Sequence, residues 1–429
     1  MLYPRNNVHR GPGLDWAKWD APDAPWREPH PDRHGLQASR PSSCSEHLLS
    51  AEMSTDAPAQ SVANTSSPIP SNNSATNMPF PPSGVNRALL LATISDLNPP
   101  HFLAHAITNA AKATRDRLVI VLFSRLFNAD HKTPASPASR RDSTSSTSSG
   151  PPPGVSRAGK WEEVQRLLTY VYVQATKVAQ DMDKVLLEVD VLLRGLNENV
   201  DENIAQGAEV LFRIEGDCIP APLPQSISSL RTAWSAPGEH AFDHALSSPI
   251  SPNSEPESTF PVVALGGTFD HLHAGHKILL SMAAWITEQK IIVGVTDDPL
   301  LVKKANIDVL EKLPVRIQHV REFLELFKPG LEYHIVPIDD VYGPTGWDPN
   351  IQALVVSTET IAGGEAVTKR RAEKSLPALR VFVIDVISHS SARLDAEDLE
   401  LLKQTKMSST FIREWIVKKA EEGADGVAI

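Results

Sequence analysis

PVVALGGTFDHLHAGHK, residues 261–277, opens as an apolar run of strand length and closes in an amphipathic helix that starts near Ala274. Between the two lie the glycine pair Gly266 and Gly267, then Thr268, then His273 and His276 at i, i+3 spacing. A strand end that meets a helix N-terminus gathers free backbone amides and the positive end of the helix dipole, which favours bound phosphate. Glycines let the main chain approach such a group closely, and two histidines one helical turn apart can aim at the same oxygens. A second anion-suited helix start follows at Ser408, Ser409 and Thr410 within KMSST (406–410). It opens FIREWIVKKA (411–420), with Arg413 one turn inside.

Around this junction, residues 259–429 alternate regularly. Strands are predicted at 261–267, 290–296, 331–337, 351–357 and 379–386, with helical periods between them. In PVRIQHVREFLELF (314–327), Ile317, Val320, Leu324 and Phe327 share one face. The fold class is α/β: a Rossmann-like, doubly wound parallel sheet of about five strands, with its site at the strands' carboxyl ends.

Residues 85–234 read as a smaller α/β domain without a chemical signature of its own. Its strands are predicted at 88–94, 117–123 and 184–193 and its helices at 101–113 and 161–180, with a flexible insertion at about 129–158. Residues 235–258 read as a linker, and residues 1–84, rich in Pro, Ser, Asn and His, as a disordered tail. Many of the 35 prolines fall in these stretches, which is why the whole chain is not expected to be compact. Met53 and Met78 offer alternative starts.

The residue types suit one chemistry. A phosphate monoester attacking the α-phosphorus of a nucleoside triphosphate needs little activation, because its second pKa near ~6 leaves it largely dianionic at pH 7. The difficulty lies in bringing two polyanions together and stabilising charge on the transition-state oxygens. That calls for donors and positive charge more than for a base or a covalent nucleophile. Thr268, His273, His276, Ser408, Ser409, Thr410 and Arg413 are such groups.

GGTFDHLHAGHK with a downstream SSTxxR resembles the T/HxGH nucleotidyltransferase superfamily and, within it, the eukaryotic type of phosphopantetheine adenylyltransferase. The likeness extends over about 261–420, taking in TDDPLLVKKAN (296–306), DVYGPTG (340–346) and VVSTETIAGGEAVTKRR (355–371), and leaves 1–258 uncovered. It implies transfer of the adenylyl group of ATP to 4'-phosphopantetheine, giving dephospho-coenzyme A and pyrophosphate. It implies catalytic roles for Thr268, His273 and His276, and for a lysine after the second strand, Lys303 or Lys304, with Lys303 slightly favoured. Gly266, Gly267, Ser408, Ser409, Thr410 and Arg413 would complete the phosphate side. The resemblance further implies Mg2+ held chiefly by the ATP phosphates, with no metal ligands from the protein, and leaves room for association with other coenzyme A pathway enzymes. Bacterial members place arginines soon after the fourth strand, where this chain has Ser357, Thr358, Glu359 and Thr360, so the pantetheine contacts stay unassigned.

Other readings fit less well. Zinc at His271, His273 and His276 has no cysteine nearby; His271 reads as structural and Asp270 as a pin for the loop. Nicotinamide mononucleotide as acceptor, or CTP with phosphocholine, would use the same chemistry. KMSS also suits a class I aminoacyl-tRNA synthetase loop, but nothing after residue 421 has room to bind an anticodon. A non-enzymatic scaffold has no need of the intact motifs. With no GxxxxGK[ST] loop, dephospho-coenzyme A kinase activity is not expected.

The net charge of −11 argues against a nucleic-acid-coating surface. No apolar run reaches the roughly 18–20 residues that span a bilayer. With only Cys44 and Cys218 available, a structural disulfide is not expected. The expected partners are ATP and 4'-phosphopantetheine, without nucleic acid or membrane, in the cytoplasm.

Overall fold

The computed structural model describes residues 84–128, 157–238, 259–385, 405 and 408–425. The tail expected at 1–84 (except Gly84), nearly all of the insertion expected at 129–158, the linker from 239 to 258, and Lys406 and Met407 lie outside the described residues.

Strands buried on both faces read as continuous apolar runs, the mark of a parallel sheet. ALLLA (88–92) is such a run, with Leu89, Leu90 and Leu91 fully buried. The first sheet is built from β1 (Val85–Thr93), α1 (Ala104–Ala113), β2 (Thr114–Ser124), α2 (Trp161–Asp181), β3 (Glu188–Gly195), β4 (Val210–Ile214), α3 (Gln225–Ser228) and β5 (Arg231–Ser235). All its pairings are parallel, in the order β3-β2-β1-β4-β5. The expected three strands are therefore joined by β4 and β5. Both are short, and β5 is a half-exposed edge strand with Arg, Thr and Ser among its five residues.

The second sheet carries β6 (Phe260–Gly267), α4 (Ala274–Ile286), β7 (Thr287–Thr296), α5 (Leu313–Phe327), β8 (Glu332–Ile338), β9 (Ala353–Ser357), α6 (Ile361–Glu373) and β10 (Arg380–Ile384). Its strands are parallel in the order β8-β7-β6-β9-β10, so the fold is the doubly wound α/β arrangement expected from the sequence. The chain leaves β6 for β7 on one side and returns to β9 on the other. That opens a crevice at the carboxyl end of β6, the switch point where ligands bind in such sheets. A last helix, α7 (Ser409–Asp425), follows. Strand β7 begins earlier than the apolar run at 290 because α4 passes directly into it, Thr287 Oγ1 donating to Ala283 O at 2.7 Å.

The two sheets share one core. Trp161 of α2 packs on Phe382 of β10 with ring centroids 4.8 Å apart, and Trp285 of α4 meets Phe127 edge-on at 5.8 Å. The Trp285 indole donates to Arg157 O at 2.9 Å. From β3, buried Arg194 donates to Phe327 O at 2.7 Å and Leu326 O at 2.6 Å, satisfying carbonyls that the end of α5 leaves free. Among the described residues, no helix is long and apolar enough to cross a membrane.

Candidate active site

Strand β6 delivers the loop 268–273 to the switch point. The loop is strained: Phe269 and His271 have φ of 51° and 43°, a region that costs a non-glycine residue about 1–3 kcal/mol. Its anchors explain why it holds. Phe269 is fully buried, and its ring lies against Gly267, where a Cβ would stand 3.2 Å from it. A side chain at Gly267 would crowd the Phe269 ring, a reason for glycine not visible from the sequence. Asp270, also fully buried, is the hub. Its Oδ1 accepts from Glu311 N at 2.9 Å, its Oδ2 accepts from Arg413 Nη1, and its carbonyl accepts from Ser409 Oγ at 2.8 Å. His271 donates Nε2–H to Val309 O at 2.8 Å and its amide to Glu311 Oε2 at 2.8 Å. Both residues pin the loop, as the sequence suggests.

His273 and His276 come together at the start of α4. His273 caps the helix in extended conformation, and its carbonyl accepts from Lys277 N at 3.0 Å. The two rings stack with centroids 3.8 Å apart and 25° between planes, His276 resting on Phe269 at 5.3 Å. Burial pushes the His276 pKa down to about 3; Glu311 opposes that and the nearby charge of Lys304 adds to it. Burial, helped by charge on His276, His271 and Lys277, also holds His273 well below its ordinary value. Both rings are neutral at pH 7, and the Nδ1 atoms of both are buried without a hydrogen-bond partner.

The remaining candidates divide. Ser408 Oγ accepts from Phe411 N at 3.3 Å, capping α7. Ser409 ties α7 to Asp270, while Thr410 Oγ1 accepts from Arg413 Nη2 at 3.3 Å. Arg413 is only 2% exposed. Besides Asp270 and Thr410, its guanidinium holds Ala305 O at 2.8 Å, so it is committed to the loop and not to an open phosphate site. Lys303 and Lys304 are exposed on the segment after β7. Of the two, Lys304 is the one whose charge is felt at His276.

A cavity of about 510 Å3 opens at the carboxyl ends of β6, β7 and β9. Gly266, Gly267 and Thr296 form its floor, and Ile338, Tyr342 and Val356 its largely apolar wall. His273 faces a second cavity, of about 270 Å3, between α4 and β3.

Two arginines escaped the sequence reading. Arg316, fully buried, donates from Nη1 to Thr268 O and Thr296 O, both at 2.8 Å. It also reaches Glu311 O at 3.0 Å and Asp298 Oδ1 at 2.7 Å. An arginine in phase with Val320, Phe323 and Phe327 on the apolar face of α5 was the available signal. Arg371 holds Thr345 O at 2.7 Å and Asp348 O at 2.8 Å, setting the turn that walls the larger cavity.

Asp270, His271 and Glu311 are close enough together to suggest a cation site. Asp270 already carries the Arg413 guanidinium, and His271 Nε2 is turned to Val309 O, so a second cation would meet a fixed positive charge and one ligand facing away.

This junction of strand, glycine pair, histidine pair and helix start is that of a nucleotidyltransferase-type α/β domain, and the cytidylyltransferase-like family matches residues 264–421. A phosphopantetheine adenylyltransferase of Pyrobaculum aerophilum is 36% identical over 128 residues, covering 30% of this chain and 81% of that protein. The chain belongs to the phosphopantetheine adenylyltransferase family. A phosphopantetheine adenylyltransferase of Saccharomyces cerevisiae is 44% identical over 156 residues, 35% of this chain and 51% of that one. The chain thus spans about half the length of this yeast relative. A solved protein of unknown function from Archaeoglobus fulgidus is 32% identical, covering 31% of this chain and 94% of that one at a TM-score of 0.27.

Proposed function

We propose that the chain transfers the adenylyl group of ATP to 4'-phosphopantetheine, giving dephospho-coenzyme A and pyrophosphate. The observation that carries this reading is the stacked pair of neutral histidines at the N-terminus of α4, beside the glycine turn that ends β6. A neutral imidazole carries one N–H, and rings held together at a helix N-terminus can offer such donors to a phosphate oxygen.

In the proposed reaction an oxygen of the dianionic phosphate attacks the α-phosphorus. The bond to the bridging oxygen breaks, and pyrophosphate departs with its electron pair. No general base and no covalent enzyme intermediate are needed. His273, His276 and Thr268 would donate to oxygens that gain charge, a single donor in such a place being worth about 2.7–4 kcal/mol. Lys304 is the better candidate to hold the acceptor phosphate, because its charge already reaches His276. Arg413 and Asp270 would keep the donors in register. The apolar wall of Ile338, Tyr342 and Val356 suits the pantetheine arm. Mg2+ would enter on the triphosphate and neutralise charge on the leaving pyrophosphate.

The test is pyrophosphate release by the purified chain with ATP and Mg2+, comparing 4'-phosphopantetheine, nicotinamide mononucleotide and no acceptor. Release with 4'-phosphopantetheine alone is expected. Release only with nicotinamide mononucleotide would move the acceptor assignment, and silence with all three would end the enzymatic reading.

A further inference from the structure

The first sheet repeats the second in detail. When strands are numbered within each half, both run 3-2-1-4-5. Their first two strands pair with the same irregularity. Val85 faces Thr114 and Arg87 faces Arg117; likewise Phe260 faces Thr287 and Val262 faces Lys290. Thr114 and Thr287, both fully buried, donate to Ala110 O and Ala283 O, each at 2.7 Å. Lysines return to the same corner, Lys184 to Thr114 O at 2.8 Å and Lys328 to Thr287 O. The ion pair between second and third strands recurs as Arg117 with Glu188 and Lys290 with Glu332. Strand order alone is common to many unrelated sheets. Agreement in register, irregularity and corner bonds is what a duplicated unit leaves behind.

The phosphate loop is not repeated. In this register, Leu91 and Ala92 stand where the second half has Gly266 and Gly267. Counted back from the threonine corner, Pro100 and Leu103 stand where it has His273 and His276. Proline offers an anion no N–H, and Leu103 is fully buried. The chain's own backbone covers this mouth: Gly238 N donates to Phe102 O at 3.0 Å, and a Cβ on Gly238 would stand 3.1 Å from Phe102 Cα.

The first half grips the second half's helix instead. Lys277 follows His276 in α4 and is 1% exposed. Its ammonium donates to Asp190 Oδ1 at 2.6 Å and Val189 O at 3.0 Å on β3, with Glu188 Oε1 at 3.4 Å. Arg117 holds the other oxygen of Asp190 at 2.7 Å. An ammonium in the first turn of a helix sits at the wrong end of the dipole, and a buried one needs a fixed counter-charge. Here the counter-charge comes from the other half.

We propose that residues 84–238 are a catalytically silent copy of the transferase fold, and that Asp190 is a positioning residue fixing His273 and His276 through Lys277. The kinetic part rests on the activity proposed above; the mechanical part does not. In the full chain, Asp190→Asn is expected to lower kcat by about tenfold to a hundredfold, the usual cost of misplacing a catalytic group. The KM for 4'-phosphopantetheine should stay within about threefold, and Asp190→Glu, which keeps the charge, should recover most of kcat. Amide exchange over 274–280 should accelerate about tenfold in Asp190→Asn while that over 361–373 stays unchanged. Calorimetry with ATP should give a single site per chain. An inactive wild type would sink the functional reading, and exchange would still decide on the buttress. A folded Asp190→Asn with wild-type kcat and wild-type exchange overturns the positioning role; two ATP sites overturn the silence. If Asp190→Asn does not fold, Asp190→Leu with Lys277→Met removes both buried charges. That pair supports the proposal if it folds with lowered kcat. It overturns the proposal if it folds with full kcat, or fails to fold, since Asp190 would then serve the fold alone.

Discussion

Asp270 and His276 lie in the same motif and have opposite tasks. Asp270 has both carboxylate oxygens engaged inside the protein, whereas His276 keeps a ring nitrogen without a protein partner. His276→Ala is therefore expected to lower kcat by about 10²–10³, the loss typical of one oxyanion donor, while the melting temperature holds. A lowered melting temperature with intact turnover would reverse this assignment. Arg413→Met should lower stability as well as turnover. It strands the Asp270 carboxylate in the interior, which typically costs about 3–5 kcal/mol, read as a shift of the urea midpoint. The histidines also set a pH dependence. Below about pH 6.5 the unfolded chain takes up protons on these rings. The folded chain does not until far lower, near pH 3 for His276. Stability from this source thus falls as pH drops through that window. The urea midpoint should therefore fall between about pH 6.5 and about pH 4, and fall less in His276→Ala; equal falls in both would detach this pH dependence from His276.

At the scale of elements, strand β6, its glycine turn and the start of α4 were legible because the apolar run, the turn and the helical period follow one another without interruption. Both helix starts meet at the loop, Ser409 bonding to Asp270, as the two hydroxyl- and histidine-rich motifs imply. The partner of Arg413 was not legible, since it lies 143 residues away and nothing local marks the pairing. Nor was the duplication. The residues that carry it, such as Thr114 with Thr287 and Lys184 with Lys328, are single positions scattered through otherwise different sequence. Arg316 shows how an element works on the site from behind: α5 uses it to clasp the ends of β6 and β7 through Thr268 O and Thr296 O. Arg316→Met would leave those carbonyls and Asp298 without their cation. An abandoned carbonyl costs about 1–3 kcal/mol where it is buried, whereas Asp298 is more than half exposed and regains water. Thr268 should lose its position with them, so kcat and the melting temperature are expected to fall together. A loss of stability with unchanged kcat would free Thr268 from any dependence on α5.

On the scale of the whole chain, the two sheets exchange aromatic side chains and not merely surface charge. Trp161 from the first half sits on Phe382 of the second, and Trp285 from the second on Phe127 of the first. Their buried area belongs to neither sheet alone, and the buried Lys277–Asp190 pair crosses the same boundary. Separating the halves would expose both rings and leave a lysine and an aspartate uncompensated. A half-unfolded state is then costly from either side. The two sheets should melt in one transition, with near-UV circular dichroism and far-UV helix signal coinciding in urea. Trp161→Ala removes a large ring from this boundary and should cost about 3–5 kcal/mol, moving that single transition without splitting it. Two separated transitions in the wild type would mean that each half folds by itself. The shared core would then be a docking surface, and the first half a removable neighbour of the active site.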